Sequence, residues 1–492
     1  MHRPASLEIK LKMCAVIALI LCLAAPLFAD HIKKADSATL PVSTSSAKAR
    51  EFYQKGITDY ENLYLERCND DWRAAVKEDP NLAVAWILIA MNSSNPQEVS
   101  DARAKAKALV PKLTAGEQLM VGWILKAQEG DFLEGIRLMN DMLEMYPRDK
   151  HLLYLAGNWL MLEEGNDQAQ RILEKAIAID KNFPAALNDL AYLQARNRQF
   201  DRAFAAMDRY VALLPNEPNP QDSYGELKRM AGDFESSLTH YRAALKMDPD
   251  FVTSQLGLGD TYALMGNQEQ ARAEYDKAIR YAHNEADRLT YSMQKAMTYV
   301  RDGNYTQADK DFAEIAETGH AKGQDLQEAQ AQRHLAEYQA DDANALKHLK
   351  LAEESLHHLS TISASDRDEE LSRVLRNRVV RAAHAGNQLL ADESLKQLEA
   401  MAYGNRNHVI QNSYHGAAGT LLMDQKKYQE AIADLEEDED NPFTLELLVQ
   451  AYYQTMQTEK LHETEARLRG TNVPTMEQAL VVPEVRSKRP NI

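Results

Sequence analysis

The chain has 492 residues, 45% hydrophobic and 26% charged, with only 20 Gly, 16 Pro and 3 Cys. That length exceeds the roughly 100–200 residues of one compact domain, so the chain forms several domains or one elongated array. A formal charge of −18 repels phosphate backbones and argues against nucleic acid as a partner, and the wealth of Ala, Leu, Glu, Gln and Lys predicts an almost wholly helical fold.

Residues 1–12 are short, polar and basic, residues 13–25 (MCAVIALILCLAA) are continuously apolar, and Pro26-Leu27-Phe28-Ala29 leads into Asp30-His31. This is the layout of a secretory signal peptide, with cleavage expected after Ala29 and export to a periplasmic or external compartment. The apolar run is shorter than the roughly 20 residues a membrane-spanning helix needs, so no stable span is expected after cleavage. The alternative is an N-terminal anchor left uncleaved or lipidated at Cys22, where Leu21 stands in place of the small residue such processing requires. Removal of residues 1–29, with Arg3, Lys10 and Lys12 against Glu8, would leave Cys68 as the one remaining thiol, so no internal disulfide forms.

Residues 30–46 (DHIKKADSATLPVSTSS) are rich in Ser and Thr, lack helical periodicity and read as a linker. From there a frame of about thirty-four residues can be laid down, with copies starting near Ala49, Ala83, Gly116, Lys150, Pro184, Pro218 and Val252. Pro80, Pro147, Pro215 and Pro249 fall at the ends of copies, where proline stops a helix. Gly130-Asp131-Phe132, Gly165-Asn166, Arg198-Gln199-Phe200, Gly232-Asp233-Phe234 and Gly266-Asn267 mark a turn inside each copy, with glycine suited to the left-handed end of one helix and Asp or Asn to the start of the next.

Two copies between Pro218 and Ala286 are the most regular. Gly225 pairs with Gly259, Gly232 with Gly266, Tyr241 with Tyr275 and Ala244 with Ala278. Leu258-Gly259 with Tyr262, followed by Ala271 and Tyr275, resembles the tetratricopeptide repeat, whose template is W-x2-L-G-x2-Y and then A-x3-F. The resemblance implies an all-α fold, a right-handed superhelical solenoid of antiparallel helix pairs. Ala90, Gly157, Ala191, Gly225 and Gly259 then share one face of the first helices, with Trp72, Tyr241, Tyr262 and Tyr275 filling the space between helices.

The regular array is expected over residues 47–286. Past it, an eighth copy starting near Leu289 and helix pairs over residues 326–356, 369–403, 408–436 and 443–469 make a degenerate array over residues 287–470, with linkers near Gly319–Gly323 and Ser360–Asp368. Residues 471–492, with three prolines and Arg486, Lys488 and Arg489, read as a mobile tail.

No P-loop, G-x-S-x-G elbow, H-E-x-x-H or C-x-x-C is present, and Gly257-Leu258-Gly259 falls inside a helix of the frame, so no catalytic activity and no cofactor is expected. The resemblance implies a non-catalytic scaffold that binds a protein or peptide segment along the concave face lined by first helices. Carried through the frame, the groove candidates are Tyr154, Asn158, Asn188, Tyr192, Arg196, Asp222, Glu226, Arg229 and Asp260, a mixture of amides, aromatics and charges suited to an extended peptide. The clamp with which some members hold a chaperone's terminal carboxylate is not reproduced, since Tyr154, Asp189, Asn219 and Ser223 replace its defining residues. A second reading gives the C-terminal half a small-molecule or metal site built from His320, His334, His348, His357 and His358, whose spacings match no ligand pattern.

Overall fold

The computed structural model describes residues 38–163, 165–357, 362–405 and 407–488. The expected signal segment, Cys14, Cys22 and His358 lie outside them. Every regular element in the described residues is helical. The first pairs are α1 (Ala47–Glu61) with α2 (Leu65–Glu78), α3 (Ala83–Asn92) with α4 (Pro96–Leu109), α5 (Ala115–Gln128) with α6 (Phe132–Met145), and α7 (Lys150–Leu162) with α8 (Asn166–Ile179). Then come α9 (Pro184–Arg196) with α10 (Phe200–Leu213), α11 (Pro218–Met230) with α12 (Phe234–Met247), α13 (Val252–Leu264) with α14 (Gln268–Arg280), and α15 (Glu285–Arg301) with α16 (Tyr305–Lys322). The later pairs are α17 (Asp325–Tyr338) with α18 (Asp342–Leu356), α19 (Ala364–His384) with α20 (Gln388–Asn405), α21 (His408–Asp424) with α22 (Tyr428–Leu435), and α23 (Pro442–Gln454) with α24 (Thr458–Arg469). A final helix, α25, covers Met476–Ser487.

The chain is therefore an all-α solenoid of helix pairs. Its first helices begin at Lys150, Pro184, Pro218 and Val252, 34 residues apart. The next begins at Glu285, four residues ahead of the expected Leu289, because Asn284 caps it by accepting from the Asp287 amide.

The packing rule is a small residue on a first helix facing a large one sixteen residues later on the second. A Cβ added at Gly225 would stand 3.0 Å from the Tyr241 ring, one at Gly259 2.6 Å from Tyr275, and one at Gly157 2.7 Å from Leu173. Gly56 faces Trp72 even more tightly, and Gly419 faces Leu435 at 2.6 Å. Glycine inside a helix costs about 1 kcal/mol relative to alanine, and the buried ring it admits offsets that cost.

Most turns between paired helices place one residue in the left-handed region, though α3–α4 and α17–α18 turn without one. Gly232 and Gly266 supply it at φ 86°, and where glycine is missing Arg198, Lys426 and Met456 adopt φ 56°, 60° and 57°. Gly323, expected in a linker, instead ends α16 at φ 64°, and Gly319 lies within that helix, where a Cβ would meet the Glu328 amide at 3.1 Å. Residues 364–368, also expected in a linker, form the first turn of α19.

Both ends of the described chain are ordered where the sequence suggested otherwise. In the expected linker, the Leu40 amide donates to Asp149 (2.9 Å), Ser43 gives its amide and hydroxyl to Glu117 (both 2.7 Å), and the Thr44 hydroxyl donates to Asp79 (2.6 Å). Glu117 and Asp149 already cap α5 and α7, so the strand-like segment reads the capping carboxylates of two successive first helices. The expected mobile tail is corrected in the same way. Residues 471–475 cross the solenoid and α25 packs against α15, α17, α23 and α24, burying Met476, Val481 and Val482. Cys68 is buried with its thiol on the Leu65 carbonyl, and burial pushes its pKa up, as suits a packed, unreactive sulfur.

Candidate functional site

The nine candidates all lie on first helices of their pairs, α7, α9, α11 and α13. The structure corrects their expected accessibility. Tyr154, Asn158, Asn188, Asp222 and Arg229 are buried, Tyr192, Glu226 and Asp260 are half-buried, and Arg196 alone is exposed. The reason lies in the winding of the solenoid, which brings distant parts of the chain into its own groove.

From one side come the end of α1 and the turn after it. The Tyr60 hydroxyl donates to Asn158 Oδ1 at 2.8 Å and its ring meets Tyr154 edge-on at 6.1 Å. Asn158 passes the contact on, donating to Asp189 at 2.9 Å, and Asn188 donates to the same carboxylate at 3.4 Å. Tyr64 reaches further, donating to Glu217 (2.5 Å) and packing edge-on to Phe251. Burial raises the Asp189 pKa to about 6. Asn188 Oδ1 and Asn219 Oδ1 are buried with no partner among the described residues, so the first-helix face keeps unused acceptors.

From the other side comes the segment before α25. Arg229, 3% exposed, donates to Glu226 at 2.8 Å and to the Asn472 backbone carbonyl at 3.3 Å, while the Asn472 side-chain amide Nδ2 donates to the Met230 carbonyl at 3.2 Å. Tyr192 completes this cluster by donating to Glu226 at 3.0 Å. Beside it the Ser254 hydroxyl donates to Asp222 at 2.6 Å and Tyr275 to Asp260 at 2.7 Å. Burial pushes Asp222 up to about 7 and raises Asp260 as well. Arg196 stands apart, donating to the Met161 carbonyl and Asn166, both at 3.0 Å.

Arg301 on α15 is a groove residue the sequence frame missed. It donates to Gln478 Oε1 at 2.6 Å and toward the Thr475 carbonyl at 3.5 Å. Its signal was available, since it ends a first helix where Arg229 ends another, but α15 begins ahead of the expected copy and shifts the register.

The histidine reading finds no constellation. His334 is held by Glu337 (2.7 Å), His348 by Gln332 (2.8 Å), and His320 lies 3.3 Å from Glu328 on a different helix. Among the described residues no group of three or more His, Cys, Asp and Glu converges as a metal cage. The acidic run at residues 434–440 is likewise spent on internal pairs: Asp434 with His415, Glu436 with Lys460, Asp438 with Arg376, and Glu439 and Asp440 with Arg467. Gly257 and Gly259 face Tyr241 and Tyr275 inside α13, which accounts for the glycine pair as packing. No described helix is long and apolar enough to cross a membrane.

Residues 162–218 and 225–286 match the family model described as tetratricopeptide repeat. The chain is 23% identical over 323 residues to the pre-mRNA-splicing factor CLF1 of Yarrowia lipolytica, covering 60% of this chain and 46% of that one. It is 22% identical over 152 residues to the TPR repeat-containing protein YpiA of Bacillus subtilis, covering 30% and 36%. It thus spans less than half the length of these curated relatives. The structure of yeast Tom70 aligns with 84% of this chain and 96% of its own at a TM-score of 0.41 and 15% identity. The 34-residue spacing of helix pairs, the small-to-large interlock and the matched segments agree that residues 162–218 and 225–286 are tetratricopeptide repeats.

Proposed function

We propose that the chain is an exported, non-catalytic scaffold whose concave face binds a segment of another protein. Repeats of this family indicate a protein-interaction scaffold. The observation that carries the finer reading is the Arg229–Asn472 contact. A non-helical stretch of polypeptide lies across a first helix, with the Arg229 guanidinium on its Asn472 carbonyl and the Asn472 side-chain amide on the Met230 carbonyl, one backbone and one side-chain contact of the kind a peptide groove makes. Export is supported by the basic, apolar and small-residue order of residues 1–29, and the acidic balance of the chain disfavours nucleic acid as the partner.

A photo-crosslinker placed at half-buried Glu226 tests the face, with a second at exposed Glu269 on α14 as the comparison. Partner adducts should form from position 226 and not from 269. Adducts from 269 alone would move binding off the concave face. Export is checked by sequencing the N-terminus of the protein from its native compartment: Asp30 is expected, and a retained Met1 would overturn cleavage.

A further inference from the structure

Arg301 hydrogen-bonds to no described carboxylate, and Asp260 acts on its charge only from beyond ion-pair distance. Its guanidinium forms no ion pair with a described carboxylate and rests on the neutral Gln478 side chain and the Thr475 carbonyl. The buried arginines Arg229 and Arg333 of other first helices are paired, Arg229 with Glu226 at 2.8 Å and Arg333 with Glu337 and Glu370, both at 2.6 Å, while exposed Arg196 rests on neutral acceptors. Burial pulls the Arg301 pKa down to about 10, with Tyr275 and Asp260 opposing it. A cation sheltered from water and given only neutral acceptors is under-satisfied, and an ionised acceptor in place of the amide oxygen would form the stronger, charge-assisted bond.

The segment that occupies the site is anchored by buried Met476 and the apolar face of α25, and its polar contacts to the groove carry no ion pair. Besides the Asn472 and Gln478 contacts, Arg486 donates to Asn472 Oδ1 at 2.7 Å and to the Thr471 and Arg469 carbonyls at 3.2 and 2.9 Å, clasping the segment from its outer side. Gln478 returns its amide to the Thr471 carbonyl at 3.3 Å. The segment therefore folds its own polar groups together while leaving Arg301 without an ion pair.

We infer that this groove recognises a segment of a partner chain that places an acidic side chain where Gln478 sits and a backbone carbonyl on Arg229, and that residues 470–478 are its competitor in cis. The inference rests on the concave-face reading above and adds to it the chemistry of the ligand and the occupant to be displaced. The site lies at the C-terminal ends of α11 and α15; of the positions where some family members clamp a terminal carboxylate, Tyr154 and Asp189 are on α7 and α9, and Asn219 and Ser223 are on α11 ahead of Arg229.

Two synthetic peptides spanning residues 470–479, one native and one with Gln478→Glu, test it by fluorescence anisotropy against the full chain and against its Asn472→Ala/Gln478→Ala variant. The opened variant should bind both peptides about tenfold more tightly than the unmodified chain, and the Gln478→Glu peptide about tenfold more tightly than the native one. Arg301→Gln in the opened background should erase that preference while leaving native-peptide binding in place. Equal binding of the two peptides would overturn acidic recognition and leave the concave-face reading standing. Affinity indifferent to opening would overturn the cis competitor. If the double variant loses its helical melting transition, Arg486→Ala, which releases the segment without touching the groove, carries the same comparison. Within the full chain, Gln478→Glu should slow hydrogen exchange at Asn472 and weaken capture of either peptide, and unchanged exchange would count against the unpaired charge.

Discussion

The solenoid solves the same packing problem in two ways along its length. From α7 to α14 the pairs repeat every 34 residues and lock through a small residue facing a ring or branched chain, as Gly225 faces Tyr241 and Gly259 faces Tyr275. From α15 to α20 the helices are longer and uneven, and buried ion pairs hold neighbouring helices together. Arg333 on α17 bridges Glu337 and Glu370 of α19, Arg378 pairs with Glu353, and Arg381 joins Asp342 and the Ala336 and Glu337 carbonyls at the end of α17. Shape complementarity must recur at fixed spacing to stack identical units. A long charged side chain reaches across variable gaps, so the ion-paired region tolerates insertions and loses its period.

The largest expected effect comes from the ion-paired region. Arg333 is the shared partner of buried Glu337 and Glu370, so Arg333→Ala leaves two buried carboxylates without it and should cost about 3–5 kcal/mol in denaturant unfolding. The triple replacement Arg333→Met/Glu337→Leu/Glu370→Leu should recover most of that, since well-packed apolar groups substitute for a buried ionic cluster. Failure of any recovery would show that the cluster sets the helix geometry as well as satisfying charge. In the regular region, Gly259→Leu should cost about 3 kcal/mol by driving a side chain into Tyr275. The comparison site there is Glu269, which is exposed, where a Leu should be nearly neutral. The sequence suggests neighbouring Gln268 for that purpose, but it is buried and donates to the Ala263 carbonyl at 2.8 Å.

The two regions also respond to pH with opposite sign. Burial raises Asp222 to about 7 in the folded chain, against an unfolded value near 3.9. The folded state therefore holds the extra proton between those values, and stability falls as pH rises from about 4 to about 7. For Glu337 burial acts upward too, but the Arg333 and His334 charges outweigh it and hold the carboxyl at about 2. Its contribution is present above about 4.3 and is lost as pH falls toward 2. Amide exchange in α11 should therefore speed up between pH 4 and 7 relative to its intrinsic rate, and Asp222→Asn should remove that trend, while exchange in α17 should speed up on acidification below about 4. The same sign in both helices would contradict the assignment.

Much of the array is legible from the sequence because its period is carried by residues with few substitutes: proline after a helix, glycine in a left-handed turn or against a ring. The occupancy of the groove is not legible, since it depends on how far the superhelix winds. Tyr60 meets Asn158 and Asn472 meets Arg229 through contacts that no local pattern encodes. The final helix sits between these cases. Met476, Ala479 and Val482 are buried at helical spacing, yet Pro483 within the helix and the neighbouring prolines make the stretch read as a tail.

The smallest effect tests what the two regions share. Most pairs of both kinds place a left-handed residue at their turn, the α3–α4 and α17–α18 turns being exceptions, and just past the ion-paired region α21–α22 supplies it with Lys426 at φ 60°. That side chain is exposed, so the position costs backbone strain of about 1 kcal/mol with little packing to offset it. Lys426→Gly should relieve the strain while paying some unfolded-state entropy, a net gain of about 0.5 kcal/mol. Gly266→Ala in the regular region has open space around its Cβ, so any loss it shows comes from φ 86° alone and should be about 1 kcal/mol. If both substitutions shift the melting midpoint by those opposite amounts, the turn is a common backbone requirement and the regions differ only in their interfaces; a stabilising Gly266→Ala would mean that the regular pairs set their turns through packing instead.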